Sequence, residues 1–282
     1  MQAKHGTEMA EQNTESIDKT TGVGVESRLF WEEKASEYTL PFEEKALART
    51  NRIIDLVESK GIGLQGKRIL DIGSGPGTFA LPLALRGASV TALDISSNML
   101  QQLITEAHRL SINSVKTVRA SWKEADPDAE KLTGTFDVVL SALSLAIECE
   151  ADILKMERCS KQWCLCIATG KIERPALCNK IRLELGLSLN PRPDIREIQK
   201  VLEQMGRVFS FDSFSTAVRE KKTVKQLVEE IGKSLEALGK VPDPALITAT
   251  VSSMLKTAKT DGSIECERNG ETGILVWRVD EN

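Results

Sequence analysis

Hydrophobic residues along this chain follow two alternating patterns. Short apolar runs, such as Ile69-Leu70 followed by Ile72, are typical of strands that are buried on both faces of a parallel sheet. Stretches with apolar residues three or four positions apart lie between these runs and predict helices. This alternation predicts an α/β fold with an open parallel sheet and right-handed crossovers. The predicted strands cover residues 68–71, 88–93, 115–120, 136–140 and 163–168, and the helices between them cover 79–85, 98–110 and 153–159.

The two ends of the chain differ from this central part. Residues 1–25 are polar and lack apolar periodicity, so we predict a disordered tail. Helical spacing begins near Arg28 and continues through residues 42–59. After Thr169 the pattern predicts a helix over 193–205, a strand over 208–215, helices over 224–238 and 244–259, and strands over 264–268 and 273–279.

The last two predicted strands flank the dipeptide Asn269-Gly270, which is a strong signal for a tight β-hairpin. The two helices before this pair lie between strand candidates. We therefore predict a helical insertion over about residues 216–260, which would form a cap over a functional site of the protein.

Composition excludes several classes of protein. The net charge is -4 and aromatic residues make up 4% of the chain, which argues against a nucleic-acid partner. No apolar run is long enough for a membrane span, and the N-terminus lacks the apolar core of a signal peptide. The six cysteines form no CxxC pair, so we expect reduced thiols and a cytoplasmic protein. With only His5 and His108 present, we expect no metal site.

A glycine-rich turn follows the first predicted strand. It contains Gly73, Gly75 and Gly77 in the sequence GSGPG. The dinucleotide fingerprint GxGxxG would need a glycine where this chain has Thr78, and the lysine of a P-loop is absent. Asp71 precedes the glycines, and its carboxylate would repel a pyrophosphate but suit a cation. The alternative is an ordinary tight connection between strand and helix.

A second carboxylate strengthens the hypothesis of a ligand site. Asp94 ends the second predicted strand, about 20 residues after the turn, where a carboxylate can bind ribose hydroxyls. Asp71 and Asp94 together favour a nucleoside that carries an amino-acid tail and a positive charge. S-adenosylmethionine has this chemistry, and we predict it as the cofactor.

Three segments resemble the class I S-adenosylmethionine-dependent methyltransferases: LDIGSGPGTFALPLA, VTALDISSNML and FDVVLSALSL, which begin at residues 70, 90 and 136. The resemblance covers about residues 28–170. It implies a Rossmann-like, doubly wound fold over residues 26–282, with a seven-stranded, mostly parallel sheet and an antiparallel C-terminal strand. It also implies that Asp71, Gly73 and Gly75 hold the methionine part of the cofactor, that Asp94 holds the ribose, and that Ile95 and Met99 flank the adenine. Ser74 and Gly77 of the same turn are further candidates for cofactor binding.

Other positions depart from the family pattern or leave alternatives open. Where relatives often carry an acidic residue for the adenine amine, this chain has Ser121, followed by Trp122, which could stack on the base or simply pack. The motif of amino-methylating relatives is absent after the fourth strand, where Ser141 and Ser144 could face the methyl group or be plain loop serines. Three further candidates are Trp31 and Tyr38, for a helix that covers the cofactor, and Glu148, for a general base.

These features predict a methyltransferase that acts on a small-molecule acceptor. Two alternatives remain open at this point: methylation of a protein or RNA, and a module that binds the cofactor without turnover. The sequence identifies neither the acceptor nor the oligomeric state.

Overall fold

A seven-stranded mixed sheet forms the centre of the protein. The computed structural model describes residues 28–174, 176–187, 194–236, 241–255 and 263–279. The strands lie in the order β3-β2-β1-β4-β5-β7-β6. The first five are parallel, and β7 is antiparallel to both of its neighbours, β5 and β6. The predicted fold class is confirmed. The strand bounds are β1 Arg68–Ile72, β2 Ser89–Asp94, β3 Val115–Arg119, β4 Phe136–Ala142, β5 Ser160–Glu173, β6 Phe209–Thr223 and β7 Ser263–Arg278.

Nine α-helices and one short 3₁₀ helix are found in the part of the chain that the structure describes. The 3₁₀ helix, Ala35–Glu37, directly follows α1. Pro82, which is unusual within a helix, lies in the first turn of α3, where its missing N–H group breaks no helical hydrogen bond. The α-helices are α1 Arg28–Lys34, α2 Glu44–Ser59, α3 Ala80–Leu85, α4 Ser97–Arg109, α5 Glu150–Cys159, α6 Ala176–Glu184, α7 Ile195–Gln204, α8 Val224–Glu236 and α9 Pro244–Leu255.

Helices cover both faces of the sheet, which explains the continuous apolar runs in its strands. In β1, Ile69 belongs to the core on one face, with residues of α2 and α3, whereas Leu70 belongs to the core on the other face, with residues of α5 and α7. Both side chains are fully buried. A strand buried on both faces has no polar side, so its hydrophobic residues do not alternate.

The predicted hairpin at Asn269-Gly270 is wrong. These residues lie inside β7, where Gly270 is opposite Thr216 of β6 and Ile172 of β5. Gly270 does not adopt the positive φ that a tight hairpin turn requires at this place. The long ladder with β6 satisfies the main-chain groups on that side of the strand and overrides the local turn preference.

The helical insertion is attached to the end of a two-stranded ribbon. The β6–β7 ladder continues from Val218 to Thr223 of β6, beyond Asn269, the last residue of β7 in this direction that pairs with β5. Residues 216–223 belong to β6 and not to the predicted insertion. The inserted helices begin at Val224. Helices α6, α8 and α9 share a small separate core of Ile181, Leu187, Leu227, Ile231, Leu235, Ile247 and Val251. The predicted N-terminal tail and residues 237–240 and 256–259 lie outside the described residues.

The sheet topology brings three loops to one edge. Strands β2, β1 and β4 are neighbours and parallel, so the segments that follow them all leave at their carboxyl ends. These segments are the glycine-rich turn, the start of α4 and the loop after Ala142. Ligands of open α/β sheets bind at this edge.

Candidate functional site

Two adjoining cavities lie at the carboxyl ends of β1, β2 and β4. The larger has a volume of about 100 Å³ and the smaller about 50 Å³. Tyr38, Gly73, Gly75 and Leu143 line both of them, so they form one continuous site. The larger cavity is lined by Trp31, Tyr38, Gly73, Gly75, Leu93, Asp94, Ile95, Met99, Ala120, Ser121, Trp122, Lys123, Leu143, Ser144, Leu145 and Ala146.

The glycine-rich turn forms the floor of this site. The main-chain N–H of Gly73 donates to the Leu93 carbonyl over 2.8 Å, which joins the turn to β2. Gly73 has a φ of 70° and packs directly under Ser144, so that a Cβ atom there would lie 2.0 Å from the Ser144 Oγ. Only glycine fits this backbone conformation without strain.

Asp94 is held rigidly at the end of β2. Its Oδ2 accepts a hydrogen bond from the Gly75 N–H over 2.8 Å, and its Oδ1 accepts one from the Ser96 N–H over 2.9 Å. Burial raises the pKa of this carboxyl group, and the hydrogen bonds from the Ser96, Gly75 and Ile95 amides partly offset that rise. The carboxylate is therefore fixed in orientation, with its remaining lone pairs available to hydroxyl donors in the larger cavity.

Asp71 is a buried carboxyl group in which one of the two oxygen atoms has no hydrogen-bond partner among the described residues. It lines the smaller cavity and is 1% exposed. The Ala80 N–H donates to the carboxyl group, but the Oδ2 atom has no partner among the described residues. Burial and the nearby charge of Asp94 raise the pKa of Asp71 to about 7. A buried carboxylate without a partner is costly, and a cationic group in the cavity would relieve this cost.

Arg49 of α2 lines the same smaller cavity and is a residue that our sequence reasoning missed. Burial lowers the pKa of its guanidinium group, and its Nε atom is buried with no hydrogen-bond partner in the described part of the chain. Helical spacing could have revealed it, because Arg49 lies three residues after Ala46 and four before Ile53, both on the buried face of α2. The smaller cavity thus offers a carboxyl group and a guanidinium group to one ligand.

The aromatic residues of the N-terminal helices close one side of the site. Trp31 of α1 and Tyr38, just after the 3₁₀ helix, both line the larger cavity, as predicted for a covering helix. Burial raises the pKa of the Tyr38 hydroxyl group, against the opposing effect of the Arg49 charge. Tyr38 therefore remains neutral at physiological pH.

The opposite wall carries the residues that we predicted around a base. Ile95, Met99, Ser121 and Trp122 all line the larger cavity. Trp122 is 4% exposed, and the Lys155 ammonium group lies 5.3 Å from its ring centroid. This side chain belongs to the core that also contains Leu93 and Leu132, and part of it lines the cavity.

Three of the predicted site residues do not line either cavity. Gly77 packs against α4 instead, since a Cβ atom there would lie 2.9 Å from the Leu103 Cγ. Ser141 is buried in β4, and its hydroxyl group donates to the Ile72 carbonyl over 3.3 Å. Glu148 is exposed and accepts a hydrogen bond from the Lys123 Nζ over 3.0 Å. Ser144, in the loop after β4, does line the larger cavity, and Ser74 lines the smaller one.

The loop after β4 contributes more to the site than its sequence indicated. Residues 143–146 all line the larger cavity. Leu143 has a φ of 54°, which is rare for a residue other than glycine, and its N–H donates to the Ile167 carbonyl over 2.7 Å. Local strain of this kind is concentrated at functional sites. No motif in the sequence signals such a conformation at a leucine.

The chemistry available at this site is binding and positioning. No histidine or glutamate is among the residues that line the two cavities, and the two aspartates are the ones already described. Within residues 28–279, as far as they are described, no group of three or more His, Cys, Asp or Glu side chains could hold a metal ion. None of the described helices combines the length and apolarity needed to cross a bilayer.

Comparison with known proteins agrees with this site. Residues 69–162 match the family model described as "Methyltransferase domain". They include the glycine-rich turn, both aspartates and the loop after β4. The match covers the residues that carry the resemblance to class I S-adenosylmethionine-dependent methyltransferases, and that resemblance is confirmed.

Curated relatives match about half of the chain. A ubiquinone biosynthesis O-methyltransferase of Escherichia coli is 35% identical over 130 residues, which are 45% of this chain and 52% of that protein. An uncharacterized protein of Haemophilus influenzae is 30% identical over 131 residues, 46% of each chain. The chain thus spans about half the length of the curated relatives that it matches.

Solved structures extend the similarity of fold over most of the chain. A putative sarcosine dimethylglycine methyltransferase from Galdieria sulphuraria gives a TM-score of 0.52 at 14% identity, over 89% of this chain and 97% of the other. A putative methyltransferase from Bacillus halodurans gives a TM-score of 0.50 at 15% identity, over 80% and 98%. At these identities the likeness concerns the fold alone.

The contact between Gly73 and Ser144 leads to a prediction about stability. Gly73→Ala should lower the melting temperature clearly, because the new methyl group meets Ser144 and the positive φ costs about 1–2 kcal/mol. Gly75→Ala is the matched control: it also has a positive φ, of 54°, but nothing lies within 4 Å of its Cβ position. In Gly73→Ala/Ser144→Gly the melting temperature should recover to the level of Gly75→Ala. Equal melting temperatures for both single variants would contradict the packing argument.

The raised pKa of Asp71 leads to a prediction about pH. The folded state favours the protonated carboxyl group, so wild-type stability should fall as pH rises from the ordinary pKa of 3.8 to the raised value of about 7, and level off above it. Asp71→Asn cannot ionise. In urea unfolding of the ligand-free protein, the variant should therefore gain stability relative to wild type as pH rises from 5 to 8. A difference in free energy of unfolding that does not change with pH would contradict this assignment.

Proposed function

We propose that this protein is an S-adenosylmethionine-dependent methyltransferase that acts on a small-molecule acceptor. The observation that carries the proposal is the unpartnered Oδ2 atom of Asp71, buried beside the rigidly held Asp94. The first carboxyl group suits an amine and the second suits a pair of ribose hydroxyls. The match of residues 69–162 to a methyltransferase domain supports the same conclusion.

The residues of both cavities fit this cofactor group by group. In the smaller cavity, Asp71 would hold the amine of the methionine part, and the Arg49 guanidinium group would hold its carboxylate. In the larger cavity, Asp94 would bind the ribose, and Ile95, Met99 and Trp122 would enclose the adenine. Two buried ionisable groups of opposite charge, each with an unpartnered atom, suit a ligand end that itself carries both charges.

When bound, the cofactor supplies a methyl group that is already activated by its positive sulfur. The chain's own contribution is to fix the cofactor and to keep water out with Trp31 and Tyr38, so that an acceptor can approach in line. Among the described lining residues, apart from the two aspartates assigned to the cofactor, no histidine or carboxylate is placed to act as a general base. We therefore infer an acceptor whose nucleophilic atom is available without proton removal by the protein, such as a neutral amine, a thiolate or a phenolate.

Several features support a small acceptor over a macromolecule. Trp31 and Tyr38 from the N-terminal segment line the larger cavity, and its loop 143–146 is apolar apart from Ser144. The net charge of -4 disfavours RNA. The matched relative from Escherichia coli is named as a methyltransferase of ubiquinone biosynthesis, although it is similar over half its length only.

The remaining features of the chain fit the same proposal. We infer a cytoplasmic location, because the cysteines with described side chains, Cys149, Cys159, Cys164, Cys166 and Cys178, are all free thiols. We also propose that residues 26–282 form one methyltransferase domain.

Calorimetry with S-adenosylhomocysteine tests the cofactor site. Wild type should bind, and Asp94→Ala should weaken binding roughly 10- to 100-fold through the loss of hydrogen bonds to a charged group. Arg49→Met should weaken binding about tenfold for the same reason. Lys45→Met, an exposed change on the same helix, should bind like wild type. Absence of binding by wild type, or unchanged binding by Asp94→Ala, would overturn the site.

A methylation screen tests the acceptor class. The purified protein is incubated with methyl-labelled cofactor and a cell extract, and the products are separated by size before mass spectrometry. We expect label in the small-molecule fraction, and none when Asp94→Ala replaces the wild type. Label confined to protein or RNA would refute the small acceptor. Intact cofactor binding with no transfer would instead indicate a binding module, which the lack of a positioned base also allows.

A further inference from the structure

Helix α1 lies over the proposed cofactor site but has very little packing of its own. It has seven residues, none of them buried, and Leu29 is 67% exposed. An isolated helix of this length is not stable in water. Only Phe30 and Trp31 of its hydrophobic residues are half-buried, so hydrophobic burial is partial and polar contacts contribute to holding the helix there.

A single carboxylate supplies most of these contacts. Glu32 accepts four hydrogen bonds from the first turn of α4. Its Oε1 accepts from the Ser97 N–H over 3.0 Å and from the Ser97 Oγ over 2.6 Å. Its Oε2 accepts from the Asn98 N–H over 2.8 Å and from the Ser96 Oγ over 2.9 Å. Glu32 thus caps α4 from a different part of the chain, in addition to the local cap by Ser96.

The electrostatics of this contact keep it formed across the physiological pH range. Burial alone would raise the pKa of Glu32, but the hydrogen bonds from Ser97, Asn98 and Ser96 outweigh it and lower the pKa to about 2. The positive end of the α4 dipole acts in the same direction. The contact is complete above the ordinary pKa of 4.5 and is lost only as pH falls toward 2.

The same turn of α4 also holds Asp94. Ser96 donates its main-chain N–H to the Asp94 Oδ1 over 2.9 Å, while its hydroxyl group donates to Glu32. Trp31, the residue before Glu32, lines the larger cavity. One turn therefore joins the helix that covers the site to the carboxylate proposed to bind the ribose.

We propose that Glu32 is a positioning residue that locks α1 over the bound cofactor, so that release of the cofactor product requires this contact to open. The proposal rests on the proposed function, because it assumes that S-adenosylmethionine and S-adenosylhomocysteine occupy the two cavities. The proposed role of Glu32 affects how fast the cofactor and its product leave the site, and it does not affect the methyl transfer itself. Glu32 touches neither cavity and acts through the position of Trp31 and Tyr38.

The first test measures how fast S-adenosylhomocysteine leaves, by stopped-flow displacement. Dissociation from Glu32→Ala should be at least about tenfold faster than from wild type, since several hydrogen bonds to a charged group are lost. The association rate should change by less than about threefold, as expected for a change that acts mainly on the closed state. Glu33→Ala, the neighbouring exposed residue on the same helix, is the matched control and should behave like wild type.

A second variant separates this contact from a general loss of structure. Ser97→Ala removes one of the donors and should speed dissociation less than Glu32→Ala. The double variant should be no faster than Glu32→Ala alone, because both changes remove the same interaction. This non-additivity would not arise from two independent destabilising changes.

Proteolysis gives a readout of the helix itself. Trypsin cleaves after Lys34, at the end of α1, and S-adenosylhomocysteine should protect this bond in wild type and in Glu33→Ala. The protection should be lost in Glu32→Ala at ligand concentrations that saturate it.

The outcomes are distinct for the two proposals. Dissociation rates and protection that are equal in Glu32→Ala and Glu33→Ala would overturn the role of Glu32 and leave the cofactor site standing. A wild-type protein that binds no S-adenosylhomocysteine would overturn the proposed function itself.

Discussion

The structure of the site depends on one carboxylate that receives main-chain hydrogen bonds from two different segments. Asp94 joins the end of β2 to the glycine-rich turn through Gly75 and to the start of α4 through Ser96. Each of these segments would otherwise leave buried N–H groups without partners. The glycines, the turn into α4 and the position of the covering helix follow from satisfying those groups. A ligand that binds Asp94 therefore meets a scaffold that is already organised.

The fold could be predicted well from sequence where burial is uniform. Strands such as β1 are apolar on both faces because helices cover both faces of the sheet. Consecutive apolar residues such as Ile69-Leu70 therefore indicate a strand of this kind. The prediction failed where partners distant in sequence decide the outcome. Asn269-Gly270 has strong local turn chemistry, yet β5 and β6 on either side extend it into one strand. Local signals cannot reveal such a partner.

The same contrast between local sequence signals and contacts distant in sequence applies to the residues of the functional site. Asp71, Asp94 and the glycines could be found because their spacing follows from the strand-turn-helix unit itself. Helical spacing can place Arg49 on the buried face of α2, but the roles of Arg49, Glu32 and the strained Leu143 depend on which segments the fold brings together. Ser141 and Glu148 were predicted at the site from their positions at the end of β4 and in the loop after it. Ser141 nevertheless donates to the Ile72 carbonyl in the core, and Glu148 pairs with Lys123. Position in the chain indicates the correct edge of the sheet, and packing determines which side chains reach the ligand.

The ribbon formed by the ends of β6 and β7 has a consequence for how the protein can vary. Its ladder beyond residue 217 is independent of β5, and α6, α8 and α9 share a core that is separate from the sheet. Residues can be inserted, deleted or replaced at the tip of the ribbon without shifting the register of any strand below it. The helices at its tip can therefore vary while the strands that carry the two cavities keep their register, and the ion pair of Lys233 with Glu37 over 3.3 Å is a contact between the two parts.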